Sequence, residues 1–328
     1  MPWADIIGQP IAVRQLQNAL KQNRIGHAYL FFGPPGVGKR TAARVLAQAL
    51  NCQQGVAGDA CGECRSCRNI LTGNHPDVRE VPLTGAHIRI SQIREVTRQA
   101  QFPPTEGCWK VFLIHNAEAM TLEAANNLLK TLEEPPGETL FVLTTPSIFN
   151  LLPTIQSRCQ QVRFQPLAVR DIAEFLVRQN LAGPEQAELI ANLAGGSLLT
   201  AQELLTMERE AVREEVIDLL TKLKTAAGPQ VLFLTEGWTE GPRLKILLPW
   251  LALWFRDLLV WQNTGDVKLL INQDRLELIK EQAQIWPRPE RFLRIIQEAK
   301  RKMERNANNQ LLLEVLLLEL TSMRDVKG

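Results

Sequence analysis

The first half of the chain alternates short apolar runs with segments of helical spacing. The apolar runs, which predict β-strands, cover residues 28–32, 78–81, 111–114, 139–144 and 162–164. Segments 41–50, 90–101 and 121–134 between them carry apolar residues at helical intervals. Strands that alternate with helices are typical of a parallel sheet with helices packed on it. We therefore predict an α/β domain over residues 1–165.

Beyond residue 165 the strand pattern fades and helical spacing takes over. We predict a small helical lid domain over residues 166–207 and an all-helical domain over residues 208–328. Residues 311–320 are apolar almost all round, which requires burial in a core or an interface. Four large aromatic side chains earlier in the same domain are candidate interface anchors. They are Trp250, Trp254, Phe255 and Trp261.

Composition and charge restrict the function classes. The 328 residues are 45% hydrophobic and 22% charged, which is ordinary for a soluble globular protein. The net charge of +2 gives no compositional argument for tight nucleic-acid binding. The first residues lack a signal-peptide pattern, and the run 311–320 contains Glu314 and Glu319 and is too short to span a bilayer. We expect a cytoplasmic protein without a membrane partner.

The run between the first predicted strand and the first predicted helix resembles a phosphate-binding loop. It matches the first seven positions of GxxxxGK[ST], and the eighth is Arg40. The glycines allow backbone N–H groups to surround phosphates, and the lysine reaches the terminal ones. A cation stands where a hydroxyl should bind Mg²⁺. The candidate nucleotide-binding residues are Gly33, Gly36, Gly38, Lys39, Arg40 and Thr41.

The second nucleotide motif also departs from the expected pattern. In phosphate-loop ATPases an apolar strand ends in acids that support Mg²⁺ and polarise the attacking water. Here the strand 111–114 is followed by His115 and Asn116, and Glu118 comes two residues too late. Neutral histidine is a poor Mg²⁺ ligand, and asparagine cannot act as a general base. We predict weak or absent ATP binding and absent or very weak hydrolysis, although a shifted loop that uses Thr41 would give an active ATPase.

Four cysteines lie within sixteen residues at the spacing C-x8-C-x2-C-x2-C. They are Cys52, Cys61, Cys64 and Cys67. Four thiolates at this spacing can complete a tetrahedral Zn²⁺ site with no open position, so we predict structural zinc. A disulfide pair and an iron–sulfur cluster are the alternatives. We expect Cys108 and Cys159 to be small buried hydrophobic residues.

Several stretches together resemble bacterial clamp loaders of the AAA+ class. These are GHAYLF at 26–31, the four-cysteine insert, LLKTLEEPP at 128–136 and SRC at 157–159. The resemblance covers residues 5–205 closely and the helical remainder in length and character. It implies an AAA+ domain with a zinc insert, a helical lid and a helical collar that holds a hetero-pentamer. The implied partners are the δ and γ/τ subunits, with the sliding clamp and primed DNA reached through the complex.

The resemblance also gives Arg158 a role. On its own the sequence predicts an exposed helical residue, whereas the SRC arginine of the family reaches the γ-phosphate on a neighbouring subunit. Thr144 and Thr145 match the first phosphate sensor, but Leu199 replaces the arginine of the second. Together with Arg40, His115 and Asn116, the missing sensor arginine indicates a non-catalytic subunit that helps to load the clamp during replication. The alternatives are an active γ-like loader or repair ATPase and, less favoured, a zinc-dependent DNA-binding module.

Overall fold

The computed structural model describes residues 2–55, 58–205, 209–226, 230–235, 237–238, 243–304 and 307–322. The chain forms two compact units. The first comprises Met1–Phe175 with Gly196–Leu199, and the second comprises Leu176–Gly195 with Thr200–Gly328. The finer division into three domains at residues 165 and 207 stays a prediction.

The first unit contains a five-stranded sheet with the strand order β2-β3-β4-β1-β5. The strands are β1 (Ala28–Phe32), β2 (Val78–Val81), β3 (Lys110–Ile114), β4 (Thr139–Thr145) and β5 (Gln160–Arg163). All neighbouring strands are parallel, so their carboxyl ends share one edge. The central strands β1, β3 and β4 are buried on both faces, and their sequences are therefore nearly continuous apolar runs. The predicted α/β class is confirmed, and β5 begins two residues earlier than predicted.

Helices cover both faces of this sheet. They are α1 (Pro10–Lys21), α2 (Lys39–Asn51), α3 (Arg65–Leu71), α4 (Ile90–Ala100), α5 (Leu122–Glu133) and α6 (Pro153–Gln156). Helix α7 (Val169–Arg178) follows β5, and the boundary between the two units falls within it. One apolar layer contains Leu16 and Leu46, and the other contains Ile93 and Leu128. Thr121 caps α5, since its Oγ1 accepts a hydrogen bond from the Ala124 amide at 3.3 Å.

The second unit is helical, as predicted. Its helices include α8 (Pro184–Leu193), α9 (Leu198–Leu205), α10 (Arg209–Leu223), α11 (Gln230–Phe233), α12 (Arg243–Thr264), α13 (Leu276–Ile285), α14 (Pro289–Glu304) and α15 (Asn309–Ser322). An aromatic cluster joins α12 to α14, with the rings of Phe255 and Phe292 4.7 Å apart and that of Trp286 against both. Among the described helices, none is long and apolar enough to cross a membrane.

Burial in this unit corrects one expectation and leaves another open. Trp250, Trp254 and Phe255 do not form an interface surface, because they are buried in the core of their own unit. The long helix α12 packs against α13 and α14, so its wide apolar face is covered internally. Helix α15 is buried within the chain on one face, and burial of its other face in an interface stays a prediction. Its residues Leu312, Leu313, Leu316, Leu317 and Leu320 are buried, whereas Leu311, Val315 and Leu318 are exposed.

Candidate functional site

The phosphate loop lies between β1 and α2, as its motif requires. Gly36 and Gly38 have φ angles of +72° and +95°, in the left-handed region that favours glycine. A Cβ atom on Gly36 would lie 2.1 Å from Ser197 Oγ, so a larger residue would collide. The amide of Leu198 donates to the Gly36 carbonyl at 2.9 Å. The segment Gly196–Leu199 therefore lies directly against the loop.

Lys39 is turned back on the loop itself. Its Nζ donates to the carbonyl oxygens of Gly33 and Pro34 at 2.5 and 2.6 Å. Burial lowers the pKa of Lys39 to about 8, although the nearby carboxylate of Glu118 opposes the shift. Two of the three lysine donors are thus used within the loop, where a phosphate would otherwise accept them.

Arg40 and Asn116, two departures from the ATPase pattern, are in direct contact. Arg40 Nη2 donates to Asn116 Oδ1 at 3.1 Å. Asn116 follows β3 with a φ angle of +53°, a conformation that asparagine tolerates better than most residues. The cation in the metal-ligand position is therefore held by the amide in the general-base position. Thr41, whose hydroxyl was the alternative ligand, is half-buried in the first turn of α2.

Two side chains from neighbouring strands, those of Thr144 and Glu80, lie close to His115. Its Nδ1 lies 3.4 Å from Thr144 Oγ1, and its Nε2 lies 3.6 Å from a carboxylate oxygen of Glu80. Glu80 also accepts a hydrogen bond from Arg44 Nε at 2.5 Å. The neighbouring imidazole of His115, together with the hydrogen-bonded Arg44 and against the effect of burial, lowers the pKa of Glu80 to about 2. Glu80 and Arg44 were not predicted as site residues from the sequence, because neither belongs to a recognisable motif.

Glu118 and Thr145, the two remaining candidate residues near the strand ends, also face other protein groups. Glu118 lies in a 3₁₀ turn, Ala117–Ala119, after β3. Burial raises the pKa of Glu118, against the charges of Lys39 and Arg40. Thr145 Oγ1 donates to the carbonyl of Ser147 at 3.0 Å. Leu199, in the second sensor position, is 51% exposed and offers no cation.

Arg158 lies in the short connection between α6 and β5. Its Nη2 forms an ion pair with the Glu133 carboxylate, and its Nη1 donates to the Thr154 carbonyl at 2.9 Å. The side chain is 32% exposed. The structure thus joins the SRC stretch to the LLKTLEEPP stretch. The neighbouring Cys159 is buried as expected, which raises the pKa of its thiol to about 12.

The four clustered cysteines converge at the other end of α2. Their sulfur atoms all lie within 4.8 Å of one another. A tetrahedral site with metal–sulfur bonds of 2.3 Å would separate the sulfurs by about 3.8 Å, so a small contraction suffices. The cluster could therefore hold a metal ion, and α2, at 1.5 Å per residue, separates it from the phosphate loop by about 20 Å.

Backbone amides donate to two of these sulfur atoms and favour the thiolate form of Cys64. The amide of Cys64 donates to Cys61 Sγ at 3.3 Å, and that of Cys67 donates to Cys64 Sγ at 3.4 Å. Burial acts to raise the pKa of Cys64, but the amides of Cys67 and Gln53 outweigh it and lower that pKa to about 6. Outside the cluster, Cys108 is exposed, contrary to expectation, because it lies in the turns before β3.

Comparison with known proteins agrees with this architecture. A family model for "DNA polymerase III, delta subunit" matches residues 8–168, and one for "DNA polymerase III, delta subunit, C terminal" matches residues 207–322. DNA polymerase III subunit delta′ of Bacillus subtilis is 36% identical over 318 residues, which are 95% of this chain and 96% of that protein. The delta′ subunit of Pseudomonas aeruginosa is 38% identical over 311 residues, 90% of this chain and 92% of that protein.

Similarity to other subunits of the same polymerase is less complete. The tau/gamma subunit of Haemophilus influenzae is 35% identical over 241 residues, which are 70% of this chain but only 35% of that protein. The two delta′ relatives, in contrast, align over nearly their whole length. This chain therefore belongs to the delta′ subunit family of DNA polymerase III.

Proposed function

We propose that this chain is the non-catalytic delta′ subunit of a clamp loader and supplies Arg158 to the ATP of a neighbouring subunit. The loader is a hetero-pentamer with delta and gamma/tau subunits, and it places the sliding clamp on primed DNA during cytoplasmic DNA replication. The observation that carries this proposal is the hydrogen bond between Arg40 and Asn116. It joins the two positions at which hydrolysis needs a metal ligand and a base.

The electrostatics of the loop oppose nucleotide turnover. A guanidinium in the metal-ligand position repels Mg²⁺, and Asn116 has no basic group to polarise a water molecule. Lys39 already donates to two loop carbonyls. A nucleotide would have to break these contacts and would gain neither the metal nor the base. The loop then serves as a structural turn between β1 and α2.

Arg158 has the chemistry that a neighbour's ATP requires. A guanidinium presents a planar set of donors that matches phosphate oxygens, and an arginine supplied in trans accelerates phosphoryl transfer by roughly 10³–10⁵-fold in other phosphate-loop enzymes. Arg158 is partly exposed and lies at the surface of its unit. It can therefore act outside its own subunit, unlike the buried His115.

The cysteine cluster fits structural Zn²⁺ held by Cys52, Cys61, Cys64 and Cys67. Four sulfur ligands leave no position for a substrate, so the metal supplies folding energy and no chemistry. The ligands connect the carboxyl end of α2 with α3. Zinc then fixes the insert between these two helices.

Two measurements test the proposal. The isolated chain, given ATP, Mg²⁺ and primed DNA, should show no turnover above background, and DNA-stimulated hydrolysis would contradict its non-catalytic status. In a loader reassembled from all subunits, Arg158→Ala should lower the ATPase rate while the complex still assembles. Arg24→Ala, at an exposed arginine, is the matched control and should change nothing. An unchanged rate for Arg158→Ala would remove the trans role.

A further inference from the structure

Both terminal nitrogens of Arg158 are used within its own subunit. Nη2 pairs with Glu133, and Nη1 donates to the Thr154 carbonyl at 2.9 Å and to Ser157 Oγ at 3.4 Å. The guanidinium therefore lies along the surface of the subunit. To bind a phosphate on another subunit, it must first leave these acceptors.

We propose that Glu133 is a positioning residue that holds Arg158 on its own subunit until a neighbour's nucleotide displaces it. The proposal rests on the proposed function of Arg158. We call the arrangement with the Glu133 ion pair the held conformation. In this conformation the carboxylate of Glu133 and a nucleotide phosphate compete for the same guanidinium donors, since both are anionic acceptors that arginine binds in the same way.

The acceptors of the held conformation are fixed in place. Glu133 is the last residue of α5, and Leu128 and Leu132 on the same helix are buried in the core. Pro135 and Pro136 prevent the helix from continuing. Thr154 lies in the short helix α6, and its carbonyl also accepts a hydrogen bond from Ser157 Oγ at 3.1 Å. The backbone that carries both acceptors is thus anchored by the fold.

The held conformation is nevertheless weak enough to be released. The side chains of Glu133 and Arg158 are 49% and 32% exposed, so solvent and salt screen their attraction. Arg158 Nε is buried and has no hydrogen-bond partner among the described residues. Release would return that donor to water and relieve its cost. A multiply charged nucleotide can therefore displace Glu133, and the ion pair suppresses turnover only before the neighbour's site is assembled.

The test uses the complete reassembled loader, with and without sliding clamp and primed DNA. Glu133→Gln should raise the kcat for ATP in the absence of clamp and DNA about two- to fivefold, the range expected for a half-exposed ion pair. The stimulated kcat should stay unchanged, so the ratio of stimulated to basal rate falls. Glu134→Gln makes the same charge change at the next, exposed residue and should leave both rates unaltered. The double variant Glu133→Gln/Arg158→Ala should match Arg158→Ala alone.

The outcomes separate this proposal from the one on which it rests. If Arg158→Ala lowers the rate and Glu133→Gln raises the basal rate, both stand. If Arg158→Ala lowers the rate but Glu133→Gln leaves the basal rate unchanged or lowers it, the held conformation is wrong and the trans role of Arg158 stands. If Arg158→Ala changes nothing, both fail. A folding defect in Glu133→Gln cannot mimic the expected result, because misfolding does not raise the turnover number.

Discussion

Arg40 and Asn116 are 76 residues apart in the chain and joined by a hydrogen bond of 3.1 Å between Nη2 and Oδ1. One stands where a phosphate loop places its metal ligand, and the other stands where the following strand places its base. The contact between them combines the loss of the metal ligand and the loss of the base in one local arrangement. The guanidinium fills the space near the loop with positive charge, and the amide oxygen stabilises it there.

This arrangement predicts how Mg²⁺ affects nucleotide binding. We expect the affinity of the isolated chain for ATP to be insensitive to Mg²⁺, because Arg40 occupies the metal's place. Arg40→Thr removes the cation and supplies a hydroxyl ligand, so Mg²⁺ should strengthen ATP binding by roughly tenfold, about 1.4 kcal/mol. It should not restore turnover, since Asn116 cannot accept a proton. Equilibrium binding of labelled ATP, with and without Mg²⁺, measures the effect.

Arg40→Lys is the control for this experiment, because it keeps the charge and adds no hydroxyl. It should remain insensitive to Mg²⁺. If Mg²⁺ strengthens ATP binding to the unmodified chain by the same factor, Arg40 does not exclude the metal.

The cysteine cluster predicts a bound metal that stabilises the first unit. The purified chain should contain Zn²⁺ in a one-to-one ratio, measured by elemental mass spectrometry. Cys67→Ser removes a fully buried ligand and should abolish zinc binding and lower the melting temperature, since metal binding contributes directly to folding. Cys108→Ser, at an exposed cysteine outside the cluster, should retain both. Iron in place of zinc, or full metal content in Cys67→Ser, would contradict the assignment.

We predict that Glu80 stabilises the folded chain to an extent that depends on pH. The neighbouring imidazole of His115, together with Arg44, lowers the pKa of Glu80 from 4.5 to about 2 in the folded chain. A depressed carboxyl pKa stabilises the fold above the unfolded value and loses that effect as the pH falls. The contribution is therefore complete above pH 5 and lost between about pH 4.5 and pH 2.

Glu80→Gln should remove this contribution. We expect it to lower the free energy of unfolding at pH 7 by about 1–2 kcal/mol, allowing for solvent screening of a side chain that is partly exposed. The difference from the unmodified chain should shrink as the pH falls toward 3. Urea denaturation at several pH values measures it, with Glu138→Gln at an exposed carboxylate as the control. A difference that stays constant with pH would show that ionisation of Glu80 is not its source.

Much of the fold could be predicted because its signals are local. Each central strand is an uninterrupted apolar run, since both faces of a parallel sheet are buried. The phosphate loop was identifiable from its glycines, and the structure confirms that Gly36 has no room for a Cβ atom. The four cysteines predicted a metal site by spacing, and their sulfur atoms converge.

The remaining features depend on contacts between distant segments. Nothing near Arg158 in the sequence indicates that Glu133, 25 residues earlier, pairs with it. Trp250 and Trp254 have the character of interface anchors, and only the packing of α12 against α13 and α14 shows that they are internal. Cys108 was expected to be buried because cysteine usually is, but the turn before β3 exposes it.

The central claim is that this chain does not use ATP of its own and provides an arginine for another subunit's ATP. The most direct test compares Lys39→Met with Arg158→Ala in the same reassembled loader, with assembly checked for both. We predict that Lys39→Met leaves the clamp- and DNA-stimulated ATPase rate unchanged and that Arg158→Ala lowers it. A loss of rate in Lys39→Met with an unchanged rate in Arg158→Ala would contradict the claim.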